Sequence, residues 1–524
     1  VIVELKQWQA AYTCGIEDCV VFSPGDKKHI KAHPSRQAGN YAIHLTGMHP
    51  AFYDDNGGTP ADIAACSFLH QANTRNCGDL LADEYSATLS EYPLFTGDKR
   101  EDLEAFLRLR VGHGDGRPLL QRVIDARYMP SKSLLRHVAE MIEGNPVFTL
   151  LDEQLVAYNM VKSAVRKFEK TKGKAVILVI GGPGTGKSVV AVRLLADLAR
   201  DGRNIVHCTG SKAFTTNLRA QVGRKASAVF KYFNSFAQEE PETIDVLVAD
   251  EAHRIRKSSN NRFRKVSDKP QVDELVAAAK VSVFLLDDHQ VVRPEEVGTP
   301  DLIRETANAS GAELYEVRLE GQYRCAGSEG YLKWLDHVFD LGGEKDLSWK
   351  EDYEFRIVES PHQLEALIHD KAAAGASARL VAGFCWPWSD PEKDGSLLPD
   401  VEIGNWKRPW NRKAKGSEPD HKHPYTIWAA QEAGLHEIGC IYSVQGFEFD
   451  YCGVIVGSDL QWRDGWTGEK GESYDTVVKR SKDLTRHLCN TYRVLMSRGM
   501  KGTYVHFLDV PTRKYFEEML SMKY

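Results

Sequence analysis

The octapeptide GGPGTGKS at 181–188 constrains this chain more tightly than any other stretch. It fits the pattern G-x-x-x-x-G-K-[ST]. Before it runs the apolar stretch AVILVIG (175–181). After it comes VVAVRLLADLARDG, whose apolar spacing is helical and which stops on Gly202. Strand, glycine-rich loop and helix together form the setting in which that pattern grips phosphate. The glycines let the backbone wrap closely, and successive N–H groups face an anion at a helix N-terminus. Gly182, Pro183, Gly184, Thr185 and Gly186 would form the cradle of an ATP site. Lys187 would reach the β- and γ-phosphates and Ser188 would ligate Mg²⁺.

The rest of the chain repeats the alternation. NIVHCTG (204–210), TIDVLVADE (243–251), VSVFLLDD (281–288), ARLVAGFCW (378–386), DYCGVIVG (450–457) and TYVHFLD (503–509) are continuously apolar rather than alternating. Such runs suit strands buried on both faces of a parallel sheet. The fold class expected is α/β, and the strands are too many for one sheet. At 524 residues the chain holds several cores. We expect a first unit over 1–95, a helical connector over 96–150 containing EDLEAFLRLR and PSKSLLRHVAEMIEG, and two parallel-sheet lobes over 151–317 and 318–524. HRIRKSSNNRFRK (253–265) and NWKRPWNRKAKGSEPDHKHP (405–424) are polar and basic, and read as loops.

VLVADEAH (246–253) delivers two carboxylates to the carboxyl end of a strand, where ligands of open α/β sheets sit. Asp250 would hold Mg²⁺ through water and Glu251 would polarise the attacking water. No run approaches the ~18 apolar residues of a membrane helix, so no membrane is expected. The ten cysteines show no CxxC spacing, which fits reduced thiols in a cytoplasmic protein. A net charge of −6 leaves a nucleic-acid partner open, because basic residues can be focused in one groove.

The order of motifs from 151 to 502 resembles that of superfamily 1 helicases, and more closely the compact DNA/RNA helicase domain related to that of Schlafen proteins. The resemblance implies two RecA-like lobes, ATP and Mg²⁺ as cofactors, and nucleic acid as partner, DNA ahead of RNA. LDEQLVAYN (151–159) is similar to the Q motif, which gives Gln154 the adenine. CTGSKAFTTNLR (208–219) is similar to motif Ia, which touches the nucleic-acid backbone. LLDDHQ (285–290) resembles motif III and makes Gln290 the γ-phosphate sensor. LEGQYRCAG (319–327) resembles motif IV and supplies Arg324. YSVQGFEFD (442–450) resembles motif V, with Gly446 and Glu448 near the nucleotide. TYRVLMSRG (491–499) resembles motif VI and supplies Arg498. Negative charge developing on a transferred phosphoryl group calls for cations beyond Lys187, and arginine fingers provide them. Only about thirty residues separate motifs Ia and II, and about 115 separate IV and V. That leaves no room for the large inserted subdomains of UvrD-like enzymes. Trp406 and Trp410 in the second basic segment offer base-stacking surfaces.

The chain opens VIVELKQW, already strand-like at its first residue. Residues two apart in a strand share a face, so Glu4 and Lys6 point the same way. E-x-K at a strand end resembles the PD-(D/E)xK nuclease core, in which the carboxylate binds Mg²⁺ and the lysine positions the attacking water. HPSRQAGNYAIHL (33–45) adds Gln37 and Tyr41 as Q-x-x-x-Y on one helix face, similar to RecB-type nucleases. ADIAACSFLHQAN (61–73) would add a further strand. The resemblance implies another metal-binding Asp on a strand upstream of Val1.

The reading is an ATP-dependent nucleic-acid translocase or helicase joined to a nuclease-like unit, in DNA processing or antiviral defence, with a protein partner or self-association open. Two rivals stand beside it. An NTP-gated sensor would switch state without separating strands. A small-molecule phosphotransferase would show no stimulation of ATP turnover by nucleic acid.

Overall fold

The computed structural model describes residues 1–22, 28–48, 51–52, 63–111, 115–125, 149–211, 215–216, 218–219, 227–259, 267–287, 290–320, 329–342, 353–413, 428–444 and 447–522.

The first unit holds two small sheets. Strands β1 (Ile2–Lys6), β5 (Ala65–Leu69) and β6 (Leu94–Thr96) form a parallel sheet in the order β1-β5-β6, with Glu4 opposite Ser67 and Lys6 opposite Leu69. Helix α1 (Pro34–Met48) covers β1 and β5 through Ala38 and Ala42, which pack on Ala65 and Tyr92. Small residues let the helix sit close, and a Cβ on Gly39 would lie 2.3 Å from the Tyr92 ring. Strands β2 (Ala11–Thr13), β3 (Cys19–Phe22) and β4 (His29–Ala32) form an antiparallel sheet. A short helix α2 (Ser86–Glu91) precedes β6. Of the expected connector, α3 (Arg100–Val111) and α4 (Arg117–Asp125) are helical, and PSKSLLRHVAEMIEG lies outside the described residues.

Lobe 1 is a six-stranded parallel sheet in the order β12-β7-β11-β10-β8-β9, built from β7 (Ala175–Gly181), β8 (Ile205–Thr209), β9 (Phe230–Tyr232), β10 (Ile244–Asp250), β11 (Ala279–Leu286) and β12 (Glu313–Leu319). All seven residues of β7 are buried, as continuous apolarity predicts for a strand covered on both faces. One face packs on α5 (Asp152–Lys170) and α6 (Lys187–Arg200). The other packs on α7 (Gln271–Ala278) and α8 (Pro300–Ala309), the latter started by a Thr299 side-chain cap and Pro300.

Lobe 2 begins with α9 (Glu329–Val338). Its five-stranded parallel sheet has the order β13-β21-β18-β14-β17, from β13 (Glu354–Ile357), β14 (Ala378–Ala382), β17 (Ile438–Gly439), β18 (Phe449–Val456) and β21 (Gly499–Phe507). Two hairpins, β15 (Val401–Ile403) with β16 (Trp406–Arg408) and β19 (Leu460–Trp462) with β20 (Trp466–Gly468), decorate it. Helices α10 (Pro361–Ala373), α11 (Leu484–Met496) and α12 (Val510–Ser521) complete the layers, each opened by a capping side chain: Ser360, Asp483 and Asp509.

Three sequence expectations need correction. The run ARLVAGFCW is strand only to Ala382; the next residue, Gly383, passes so close to the Tyr492 hydroxyl that a Cβ would lie 1.8 Å from it. The segment opening at His253 is not wholly a solvated loop. His253 and Arg254 are buried in a single 3₁₀ turn (Ala252–Arg254) directly after β10, and Ile255, which follows it, is buried too. Nor do Trp406 and Trp410 present stacking faces. Each is 2% exposed, and both belong to the core of lobe 2. Trp406 Nε1 donates to Glu365 at 2.9 Å, and Trp410 Nε1 donates to the Pro387 carbonyl at 2.8 Å while its ring stacks on Phe384. Indole rings whose N–H finds a buried acceptor bring more stability inside than outside.

Candidate nucleotide site

Strand β7 runs into the phosphate loop. Gly184 (φ 80°) and Gly186 (φ 82°) adopt the left-handed region that the turn demands. Thr185 Oγ1 donates to the Gly182 carbonyl at 3.0 Å, and Lys187 Nζ donates to the carbonyls of Gly181 and Gly182 at 2.6 Å each. The ammonium is therefore held over the loop it belongs to. Pro183 and Thr185 are buried while Gly182, Gly184, Gly186, Lys187 and Ser188 keep partial exposure.

Gln154, on the first turn of α5, lies against this loop. Its Nε2 donates to the Thr185 carbonyl at 2.8 Å, and a Cβ at position 186 would come within 2.3 Å of that nitrogen. Its Oε1 accepts from the Leu151 N–H at 3.2 Å, closing the helix start. Gln154 thus packs directly against the phosphate loop.

Asp250 ends β10 and is 1% exposed. Burial alone would lift its carboxyl. His207, whose Nε2 lies 3.6 Å away, a hydrogen bond from Ser188 and the Glu251 N–H together outweigh burial and hold it below the usual carboxylate range. Oxygen donors from Ser188 and Asp250 beside the phosphate loop suit a hard cation of the Mg²⁺ kind, shared with the substrate's phosphates. Glu251 takes a left-handed backbone (φ 53°), rare for a residue with a side chain, and its carboxylate sits 3.6 Å from Arg254 Nη1. Arg254 is held in turn by Glu296, at 3.4 Å.

Strand β11 lies between β7 and β10, so the residues after it emerge between the phosphate loop and Asp250. Asp287 is 1% exposed, and Gln290 Nε2 donates to its Oδ2 at 2.9 Å. His253 is fully buried, and neither of its ring nitrogens has a hydrogen-bond partner among the described residues. Burial drives its pKa down to about 4, against the pull of Glu251 and Asp287, so it is neutral at physiological pH. Sequence reasoning gave no role to His253, Arg254 or Asp287, although His253 and Asp287 stand within quoted motifs and Arg254 in the basic stretch read as a loop.

From lobe 2, Arg498 is 2% exposed and closes the motif V loop: its Nη1 donates to the Phe447 carbonyl at 3.3 Å and its own carbonyl accepts from Phe449 N–H at 3.0 Å. Glu448 is exposed beside it. Arg324 and Gly446 lie outside the described residues.

The four residues singled out in the first unit form two pairs. Lys6 Nζ and Glu4 Oε1 are 2.7 Å apart on β1, and Gln37 Nε2 donates to Tyr41 Oη at 2.9 Å one turn along α1. An unforeseen carboxylate joins them. Asp152, the first residue of α5, accepts from Tyr41 Oη at 2.8 Å on both oxygens and from Gln37 Nε2. Among the described residues no group of three or more His, Cys, Asp or Glu side chains is arranged to hold a metal ion. None of the described helices is long and apolar enough to cross a membrane.

A parallel-sheet lobe in which β7 runs into a phosphate loop, joined to a second parallel-sheet lobe, has the architecture of a P-loop nucleoside-triphosphatase of helicase type. The chain belongs to the Schlafen group 3 DNA/RNA helicase domain family, whose description matches residues 174–509. An uncharacterized protein of Saccharomyces cerevisiae is 23% identical over 394 residues, spanning 66% of this chain and 84% of its own length. Among solved structures, Pif1 helicase from Candida albicans is 12% identical, with 71% of this chain and 98% of that one covered at a TM-score of 0.31. AMPPCP-bound DnaA from Aquifex aeolicus is 18% identical over 37% of this chain and 54% of its own, at a TM-score of 0.19. Likeness at those scores supports no residue-by-residue correspondence.

Proposed function

We propose that this chain is an ATP-driven nucleic-acid motor, and that residues 1–95 are a PD-(D/E)xK-type nuclease unit fed by it. The observation that carries the motor is the placing of Lys187, Asp250, Glu251 and Gln290 beyond the carboxyl ends of the neighbouring strands β7, β10 and β11; within lobe 2, Arg498 is held against the Phe447 carbonyl. Lys187 and the loop N–H groups bind the β- and γ-phosphates of ATP, and Gln154 ties adenine recognition to the loop. Ser188 and Asp250 would hold Mg²⁺, which supplies neutralising charge at the phosphate oxygens. Glu251 orients the attacking water and takes its proton. Arg498, and Arg324 from motif IV, stabilise the charge that develops in the transition state. Closing and opening of the two lobes around ATP then alternates grip and release on a strand, DNA ahead of RNA.

The nuclease reading rests on Glu4 and Lys6 meeting on one strand face, with Gln37 and Tyr41 paired on the helix above. Defence against invading nucleic acid, or DNA processing, is the role such a pairing serves. The deciding experiment is steady-state ATP hydrolysis by the purified chain, alone and with single-stranded DNA, duplex DNA or RNA. Stimulation by one polymer of about tenfold or more supports the motor and names its track. Turnover indifferent to every polymer removes it and leaves the gated sensor.

A further inference from the structure

The segment after β11 does not stay with the lobe that makes it. Val292 is 1% exposed and belongs to the apolar core of lobe 2, among Tyr331, Trp334 and Leu488. Asn490 Nδ2, on α11, donates to the Val291 carbonyl at 2.7 Å. The Arg293 guanidinium lies 3.9 Å over the Tyr442 ring. Residues 290–293 therefore run as a strap against lobe 2, a few positions beyond Asp287 at the end of β11.

Arg493 sits at the root of that strap. It projects from α11, two turns past the helix start, and is 2% exposed. Its Nε and Nη2 donate to the two oxygens of Asp336 on α9, at 2.7 and 3.2 Å. Its Nη1 lies 3.8 Å from Asp287 Oδ2. That oxygen is also the one that accepts from Gln290. One planar fork thus links a carboxylate of lobe 2 to a carboxylate of lobe 1. Asp287 directly follows β11, between the strand that runs into the phosphate loop and the one that ends in Asp250, and with Glu251 and Lys187 it acts on the buried His253 imidazole. Burying such a charge is costly, and well-packed apolar side chains commonly stabilise a core at least as well. A purely structural part at this place did not require an arginine.

We propose that Arg493 is a positioning residue for ATP hydrolysis. Anchored by Asp336, it fixes Asp287, and through Asp287 it fixes Gln290 beside the phosphate loop. Movement of lobe 2 then reaches the γ-phosphate side of the site along Arg493, and not only through the finger Arg498. The proposal rests on the ATP-hydrolysing part of the reading above and not on the strand-moving part.

The test is ATP turnover by Arg493→Gln, Arg493→Lys and Asp336→Ala in the full chain, with binding of a fluorescent ADP analogue confirming an intact site. Arg493→Gln should lower kcat by about 30-fold or more while KM for ATP stays within about threefold. Arg493→Lys should recover little, since a point charge cannot fork to Asp336 and still reach Asp287. Asp336→Ala should lower kcat by about tenfold without touching any lobe 1 side chain. Arg493→Gln combined with Asp287→Asn should be little worse than either alone. Nucleotide-binding variants whose kcat stays within about threefold of wild type, or effects that multiply in the double variant, overturn the proposal. If Arg493→Gln does not fold, Asp336→Ala decides alone by the same thresholds. Wild-type turnover that no polymer stimulates would remove the motor yet leave this relay standing, because its readout is kcat whether or not polymer is present.

Discussion

At the scale of single residues, the site separates binding groups from reacting ones. On the proposed roles, Lys187→Ala removes the ammonium that binds the phosphates, so ATP turnover should vanish together with nucleotide affinity. Glu251→Gln keeps size and hydrogen bonding but loses the base. It should retain nucleotide binding and lose turnover by about 10²-fold or more, measured by single-turnover hydrolysis against fluorescent-nucleotide binding. Near-normal turnover in Glu251→Gln would place the base elsewhere. A second titrating residue acts on stability. Asp459 is fully buried in lobe 2; burial first of all pushes its pKa up to about 6, although the Tyr492 hydroxyl donates to it at 2.5 Å. A folded pKa above the unfolded value near 3.9 means that its contribution is complete below about pH 4 and is lost as pH rises through about 6. Asp459→Asn keeps an acceptor for Tyr492 and has no charge to bury. Relative to wild type it should therefore lose stability, by up to about 3 kcal/mol, as pH falls from 7.5 to 4. Thermal melts of both proteins across that range check this, and a pH-independent gap refutes it.

At the scale of elements, the parallel lobes were legible because buried strands write continuous apolar runs. Every run quoted from the helicase region contains a strand, although ARLVAGFCW is strand only over its first five residues. The phosphate loop was legible because its glycines answer to backbone sterics, which sequence records directly. Gly186 shows it twice over, with a left-handed φ and Gln154 packed where a Cβ would stand. What stayed hidden was three-dimensional company. A polar, basic stretch looked solvated, yet Trp406 and Trp410 turn inward because Glu365 on α10 and the Pro387 carbonyl await their N–H groups. Arg408 binds the same Glu365, so even the basic character of that hairpin is spent internally. Trp410→Ala should accordingly destabilise lobe 2 by about 3–5 kcal/mol, seen by denaturant unfolding. Weakened nucleic-acid binding with unchanged stability would restore the stacking role. Asp152 was equally invisible: its partners Gln37 and Tyr41 are more than a hundred residues away in sequence.

At the scale of the whole molecule, the first unit and lobe 1 share a core, and Asp152 is its polar pin. Cys19 and Ala32, from the antiparallel sheet, pack in the same cluster as Val156 and Val161 of α5. Polar ties surround that cluster: Lys31 to Glu153 at 3.0 Å, Asn159 to the Glu17 carbonyl at 2.8 Å, and Asn40 to the Leu150 carbonyl at 2.9 Å. Asp152 itself holds a left-handed backbone (φ 44°), a conformation that costs on the order of 1 kcal/mol or more and persists only where neighbours enforce it. Tyr41 and Gln37 are those neighbours. Two residues on, Gln154 braces the phosphate loop. The hydrogen bonds on Asp152 therefore tie the start of α5 to α1 two residues before it touches the phosphate loop. Asp152→Ala removes both bonds and lets the first turn of α5 relax, so KM for ATP should rise about three- to tenfold while kcat stays within about twofold. Tyr41→Phe, which removes one hydroxyl from the far side of the contact, should move KM in the same direction by a smaller factor. Both are read by steady-state kinetics on the full chain. An unchanged KM in both variants would mean that the two units share a core without sharing a signal.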